Sequence, residues 1–495
     1  MGDQNTIINE EELRHAIRRA AFDPSSKQMA LALRKVGSMT RGGAADYLQS
    51  MKRKVVKARG KSLYDVHNKW MKHILKGKTS YADKQAIFWH DHFSVTASVV
   101  GREESTTRYI SRLYSHCDGS FGDFLKSMNR DPSMMRFLNT TENTDEEPNE
   151  NYARELMELF AIGTHDENGN ENYVQADVAQ AARGFTGWRL RNDDSESYLS
   201  NRRHDFMADY PERGPKVLFD NAHGFPAGGV SFTQNGEGEN EIGEIIDILL
   251  EHTDSDGRKT AARYVTRRLT EFYCYAGVDI AAIDEIIDDS GFDLTWDIPS
   301  LMRSLMCNDV FYATAASAPF SVDTKKSVKH PVDFIVGAMN VLAMKPKGKE
   351  LEIARGDSDG RTRPIEEHSE AMGQILLDPP SVFGWNWEEG WISGQNLLGR
   401  NRFCRDLTSK RYGGKFRPER LVDMGETDPG AIVDQVTNIL GIQNQFTATE
   451  RDELINYLTD GGNNPVINLN DEDVFEVKLC GLFYLTMSSS QYQVQ

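Results

Sequence analysis

The sequence predicts a mainly α-helical protein, in which many helices are joined by long irregular loops with little β-structure. Apolar residues recur with helical spacing over most of the chain, whereas the alternation typical of strands is almost absent from the first 190 residues. Hydrophobic residues make up 39% and charged residues 27% of the 495 positions. This composition is typical of a folded globular protein, and a chain of this length can bury a large core.

The first helix has the clearest boundaries. Asn9 can cap its N-terminus, Glu11 and Glu12 lie in its first turn, and Asp23-Pro24 ends it after Phe22. Further helices are predicted at 27–36, 41–58, 62–76, 80–93, 103–115, 149–162, 174–187, 240–252, 258–276, 280–289, 296–307, 325–343 and 366–377.

Changes in composition divide the chain into four regions. Residues 1–190 form an N-terminal helical region, and 191–240, rich in Gly, Asp and Asn, form a long irregular loop insertion. Residues 241–410 form a second helical region that we expect to pack on the first as one large domain. Residues 411–495 form a C-terminal helical extension.

Charge and targeting signals exclude several functions. The 57 basic and 75 acidic residues give a net charge of -18, which repels nucleic acid. No phosphate-binding loop or dinucleotide fingerprint occurs, so neither a nucleotide nor a flavin is expected. The N-terminus lacks a signal peptide and no apolar stretch could span a bilayer, so the sequence as it stands predicts a cytoplasmic protein without a membrane span.

Two histidines flank a carboxylate in the sequence from Phe88 to Phe93. His90 and His92 are candidate ligands for zinc, manganese or iron. Residues two apart on a regular helix lie about 200° apart, so both rings can face one metal only at a helix end or in extended backbone. The alternative is one buried histidine bonded to a neighbour and one surface histidine.

A second motif runs from Asn149 to Phe160. Asn151, Arg154, Glu155 and Glu158 follow helical spacing and form one polar stripe. Two carboxylates one turn apart can share a divalent cation. They can equally form a solvated helix face with an intrahelical Arg–Glu pair.

Other polar and aromatic residues could support such a site. Arg183 could orient the carboxylates of the preceding helix, clamp an anionic substrate, or form a structural ion pair. His204, followed by Asp205, is a candidate third metal ligand or general acid/base on a loop. Trp385 belongs to a turn with three tryptophans, which either stack on a flat ligand or anchor the core.

Taken in order, these motifs resemble the bacterial family catalogued as domain of unknown function 1800. The resemblance covers about residues 10–410 and is most specific in the Asn149–Phe160 motif. It implies a mainly helical protein, often exported, and encoded beside members of the family numbered 1501, which look like sulfatases or phosphatases. A protein of that second family is therefore a possible partner. The matching segments are 15–22, 88–93, 131–135, 148–160, 182–188, 204–205, 329–334 and 379–385.

The leading hypothesis is a metal-dependent enzyme acting on a polar substrate, hydrolase first and oxidoreductase second. The predicted metal ligands are His90, His92, Glu155 and Glu158, and the predicted catalytic residues are Glu155, His204 and Arg154. Asn151, Arg183, Asp205 and Trp385 would support them or bind substrate. The alternative is a non-catalytic structural or assembly protein, in which the same polar residues form a buried packing network.

Overall fold

The computed structural model describes residues 3–51, 60–77, 80–220, 224–313, 326–344, 352–354, 362–409 and 416–495. It confirms the predicted mainly helical fold with long loops. The only sheets in the described part of the chain are three antiparallel pairs of short strands. The protein therefore positions its side chains almost entirely with helices and the loops between them.

The helices are α1 Glu10–Ala20, α2 Ser26–Lys35, α3 Arg41–Gln49, α4 Leu63–Leu75, α5 Ser80–His92, α6 Ala97–Val100, α7 Glu103–His116, α8 Phe121–Asn129, α9 Pro132–Phe137, α10 Asn151–Glu155, α11 Gln175–Gly184, α12 Glu241–Glu251, α13 Thr260–Tyr273, α14 Ile280–Ser290, α15 Phe292–Thr295, α16 Ile298–Cys307, α17 Asp309–Tyr312, α18 Pro331–Val341, α19 Ile365–Ala371, α20 Gly394–Thr408, α21 Pro429–Ile439, α22 Ala448–Thr459, α23 Cys480–Ser488 and α24 Ser490–Gln493. Turns of π-helix occur at Leu156–Ala161 and Val474–Leu479.

The strands are β1 Trp188–Leu190, β2 Ser197–Leu199, β3 Val217–Leu218, β4 Val230–Ser231, β5 Glu352–Ala354 and β6 Thr362–Pro364. They pair as β1 with β2, β3 with β4 and β5 with β6. Strands β2 to β4, with single turns of 3₁₀-helix, lie within 191–240.

Several helix boundaries follow from local side chains. The α1 N-terminus has a complete capping box, in which Asn9 and Glu12 each accept a backbone N–H from the other. The helix predicted at 325–343 begins only at Pro331, because proline disfavours helical backbone in the residue before it. The predicted helix 41–58 ends at Gln49, and 52–59 lie outside the described residues.

Helices α8 and α9 were not predicted from the sequence. Ser120 caps α8, and Asp131 caps α9 with Pro132 at its first position. Both are ordinary N-terminal signals, so these helices could have been found from capping residues rather than from apolar spacing.

Apolar side chains from Ile8 to Tyr492 form one continuous buried cluster. Helix α5 is buried at every position, although it carries charged side chains. Its Lys84 forms an ion pair with Asp333 of α18. This pairing offsets the free-energy cost of removing the two charged groups from water. None of the helices in the described ranges is long and apolar enough to cross a membrane.

Candidate functional site

His90, near the C-terminus of α5, uses both ring nitrogens inside the protein. The Leu377 N–H donates to Nε2 at 2.9 Å, so Nδ1 carries the proton and donates to the Tyr109 hydroxyl at 2.8 Å. Tyr109 in turn donates to the Phe93 carbonyl at 2.7 Å. Burial lowers the pKa of His90 to about 3, so the ring is neutral. It holds the loop at Leu377, whose φ of 70° is rare for a residue with a side chain.

His92 bonds a different segment. Its Nε2 donates to the Phe160 carbonyl at 3.0 Å, and its buried Nδ1 has no hydrogen-bond partner among the described residues. Burial, with a contribution from Arg268, lowers the pKa of His92 to about 3. The two histidines therefore bond different parts of the chain, as their spacing on a helix requires.

Asp91, which was not among the predicted site residues, holds the tryptophan-rich loop. Its Oδ1 accepts the Trp385 N–H at 2.8 Å, and its Oδ2 accepts the Trp387 indole N–H at 3.0 Å and an Arg268 N–H at 3.4 Å. Burial raises the pKa of Asp91 to about 6, against the effect of Arg268. The loop approaches so closely that a Cβ on Gly384 would lie 2.4 Å from Oδ1. The indole of Trp385 is buried against His90, with ring centroids 5.1 Å apart.

Glu155 and Glu158 occupy a different environment. Glu155 ends α10, and Glu158 lies in the π-helical turn that follows. Both side chains are partly exposed. Burial and then the charge of Glu158 raise the pKa of Glu155, and its carboxylate has no hydrogen-bond partner in the described ranges. Glu158 accepts a hydrogen bond from the Tyr173 hydroxyl at 3.3 Å.

Arg154 does not neutralise this pair through a hydrogen bond. Its guanidinium donates to Glu150 at 3.0 Å and to Gln175 at 2.8 Å, on the exposed side of α10. Asn151 is exposed at the first position of the same helix. The predicted polar stripe is thus present, with its intrahelical ion pair formed by Arg154 and Glu150.

The segments that carry His92 and Glu158 meet at the π-helical turn. His92 bonds to Phe160 within that turn, and Tyr264 of α13 donates to the Leu159 carbonyl at 2.9 Å. Burial raises the pKa of Tyr264, and the charges of Glu158 and Asp91 act in the same direction. Wide turns of this kind are frequent at functional sites.

His204 and Asp205 belong to another buried cluster. The His204 Nδ1–H donates to the Thr186 carbonyl at 2.9 Å, and Nε2 lies 2.9 Å from a Glu241 oxygen. Lys216 donates to both Glu241 oxygens, at 2.8 and 3.0 Å. All three side chains are fully buried. Sequence spacing gave no signal for Lys216 or Glu241, because loops bring them to His204.

Arg183 forms an ion pair with Asp205 rather than with the carboxylates of the preceding helix. Its Nε donates to Asp205 Oδ2 at 3.0 Å, and Arg213 donates to the same oxygen at 2.8 Å. Burial acts to raise the pKa of Asp205. The hydrogen bonds from Arg183 and Arg213 outweigh this effect, so the pKa of Asp205 is lowered.

The described residues contain no group of three or more His, Cys, Asp or Glu side chains arranged to hold a metal ion. Of the predicted ligands, Glu158 lies close enough to Glu155 for its charge to raise the pKa of Glu155. His90 and His92 bond elsewhere, as described above.

Fold and site together define a mainly helical protein whose polar motifs connect distant segments through the core. The chain belongs to the family of proteins of unknown function DUF1800, whose family model matches residues 5–494. The match includes the region beyond residue 410, so that region is part of the family's sequence rather than an addition to it. No match was found among curated proteins or solved structures.

Proposed function

We propose that the chain is a divalent-cation-dependent hydrolase acting on a polar substrate, with Glu155 and Glu158 binding the cation. The observation that carries this proposal is the pairing of the two carboxylates. Burial and the charge of Glu158 raise the pKa of Glu155 against the charge of Arg154, and Glu155 has no hydrogen-bond partner among the described residues. A divalent cation would remove this repulsion. Two carboxylates with waters suffice for Mg²⁺, and oxygen ligands also suit Mn²⁺.

The proposal gives each neighbouring residue a limited role. A cation bound here would activate water for attack on a substrate near neutral pH. Glu155 binds the cation in its ionised form, and a bound cation would lower its pKa from the raised value. Tyr173 orients Glu158, and Arg154 lies where a polar substrate could meet it. The other predicted site residues belong to the packing framework, since each bonds or packs inside the protein. They are His90, His92, His204, Arg183, Asp205 and Trp385.

Cation binding is the first test. Binding of Mn²⁺ and Mg²⁺ is measured by calorimetry for the wild type, Glu155→Gln and Glu158→Gln, with the exposed Glu171→Gln as matched control. We expect each site variant to bind at least about tenfold more weakly, because an ionic ligand is lost, and the control to bind normally. Hydrolysis of p-nitrophenyl esters and phosphates is then compared in the same variants.

A non-catalytic assembly protein is the second candidate, supported by the bonds that connect His90, Asp91 and His92 to three different segments. His90→Ala tests the framework role that both candidate functions give to this residue. Under the hydrolase proposal it lowers stability but leaves cation affinity in the folded protein unchanged. A wild type that binds neither cation, or Glu155→Gln and Glu158→Gln variants that bind as the wild type does, would overturn the hydrolase proposal in favour of assembly.

A protein of the family numbered 1501 stays our predicted partner, on the basis of the family resemblance alone. Co-expression followed by size-exclusion chromatography tests it. A complex that elutes as one species supports the partnership, and separate elution of the two proteins at micromolar concentration contradicts it.

A further inference from the structure

A narrow cleft lies between α1, the loop after α21 and the last residues of the described chain. It encloses about 420 Å³ including space open to solvent, but the centre of a water molecule can reach only about 20 Å³. Arg14, Arg18, Lys326, Gln445 and Gln495 are among the residues that line it. The accessible volume of the cleft accommodates one small ion and is too small for a nucleotide.

Two of the cations in the cleft have no anionic partner among the residues that the structure describes. The guanidinium of Arg14 makes no hydrogen bond or ion pair with any described residue. Burial and then Arg18 lower its pKa, and the carboxylates of Asp23, Glu10 and Glu11 only partly oppose this effect. Lys326 donates to the neutral Gln445 amide, and burial with Arg18 and Arg19 lowers its pKa to about 8.

The other charged residues of the cleft are already bonded. Arg18 pairs with Asp23 and donates to the Gly441 carbonyl at 2.8 Å. Glu11 accepts from Asn444 at 3.0 Å. His15 bonds the Phe311 carbonyl at 3.0 Å, and burial lowers its pKa well below the usual value, so it is neutral. Arg14 and Lys326 are therefore the charged side chains of the cleft that have no ion pair or hydrogen bond with a charged or backbone group among the described residues.

Gln495 supplies an independent observation. The residue is only 4% exposed, and its amide nitrogen Nε2 is buried without an acceptor among the described residues. A buried N–H without a partner is unfavourable, so such donors normally have an acceptor. Here the unused donor belongs to a side chain that lines the same cleft as Arg14 and Lys326.

We infer that this cleft binds a small oxyanion of phosphate or sulfate size, held by Arg14, Lys326 and the Gln495 amide. The ion would satisfy the unused N–H donors and neutralise the two cations with charge-assisted hydrogen bonds. None of these residues belongs to the proposed Glu155–Glu158 pair, so the inference is independent of the proposed function.

Calorimetric titration at constant ionic strength tests the inference with inorganic phosphate, sulfate and chloride. Wild type is compared with Arg14→Gln and Lys326→Gln, and with Arg34→Gln, which removes an exposed cation on α2. We expect phosphate or sulfate to bind the wild type and the control equally, and each cleft variant about tenfold more weakly. Phenyl phosphate in place of phosphate distinguishes a free ion from the phosphate group of a larger molecule.

Unfolding temperature gives a second readout that separates binding from a structural role. Without oxyanion, Arg14→Gln should be as stable as wild type or more so, because repulsion with Arg18 is removed. With phosphate, wild type should gain stability and Arg14→Gln should not. Absence of phosphate and sulfate binding, or equal binding by wild type and both cleft variants, would overturn the inference.

Discussion

Carboxylates in two parts of the molecule have opposite environments. Asp91 and Glu241 are buried, and both oxygens of each are bonded to N–H donors of other segments. Glu155 and Glu158 are partly exposed and lie beside each other, and among the described residues their carboxylates accept one hydrogen bond, from Tyr173 to Glu158. A buried carboxylate whose oxygens are all bonded holds distant segments together, whereas one that faces a like charge is available for a ligand.

The largest loss of stability should follow from replacing a buried carboxylate that forms an ion pair. We expect Glu241→Leu to lower the free energy of unfolding by about 3–5 kcal/mol, since Lys216 is left buried without its counter-charge. Urea unfolding at pH 7 measures the loss.

The double variant Lys216→Met with Glu241→Leu is the matched control. It removes both charges, so it should recover most of the lost stability. A double variant as unstable as Glu241→Leu would show that shape rather than charge pairing controls this cluster.

The pH dependence of stability should show that burial raises the pKa of Asp91. Its pKa of about 6 in the folded protein exceeds the usual 3.8, so the folded state binds this proton more tightly than the unfolded state. The contribution of Asp91 to stability therefore falls as pH rises from about 4 to 6, by about 3 kcal/mol in total.

Asp91→Asn removes this titration. The stability of wild type relative to Asp91→Asn should decrease between pH 4.5 and 7.5, measured by urea unfolding. A difference that stays constant over this range would mean that the folded state does not raise the pKa of Asp91.

Close approach of the tryptophan-rich loop to Asp91 gives a third prediction. We expect Gly384→Ala to cost about 2 kcal/mol, because the new Cβ would lie 2.4 Å from Oδ1 on a residue with φ of 82°. Gly228→Ala is the control, with φ of 93° and no atom within 4 Å of the added Cβ. Thermal unfolding should show a larger loss for Gly384→Ala, and equal losses would exclude a steric conflict at Asp91.

The sequence predicted those features that depend on local spacing. Helical periodicity predicted the fold class. It also gave the objection to one metal between His90 and His92, although both were predicted to be ligands. It also predicted the polar stripe that contains Arg154 and Glu155. These features could be found because neighbours on a helix are close in both sequence and space.

Long-range partners could not be predicted in this way. His204 meets Glu241 and Lys216 through loops, and Asp91 meets Trp385 and Trp387 almost 300 positions along the chain. No periodic pattern relates such residues. Asp91 was visible between the two histidines, but only the structure shows that its oxygens bond the tryptophan-rich loop.

The smallest stability effect should come from the paired carboxylates. We expect Glu155→Gln to change the free energy of unfolding by no more than about 0.5 kcal/mol at pH 7, and in the stabilising direction, because repulsion with Glu158 is removed. The raised pKa of Glu155 means that this gain should shrink as pH falls and the wild-type carboxyl binds a proton. Glu150→Gln is the control and should be slightly destabilising, because it loses the bond to Arg154. A clear loss of stability in Glu155→Gln would instead place this carboxylate in the packing framework with Asp91 and Glu241.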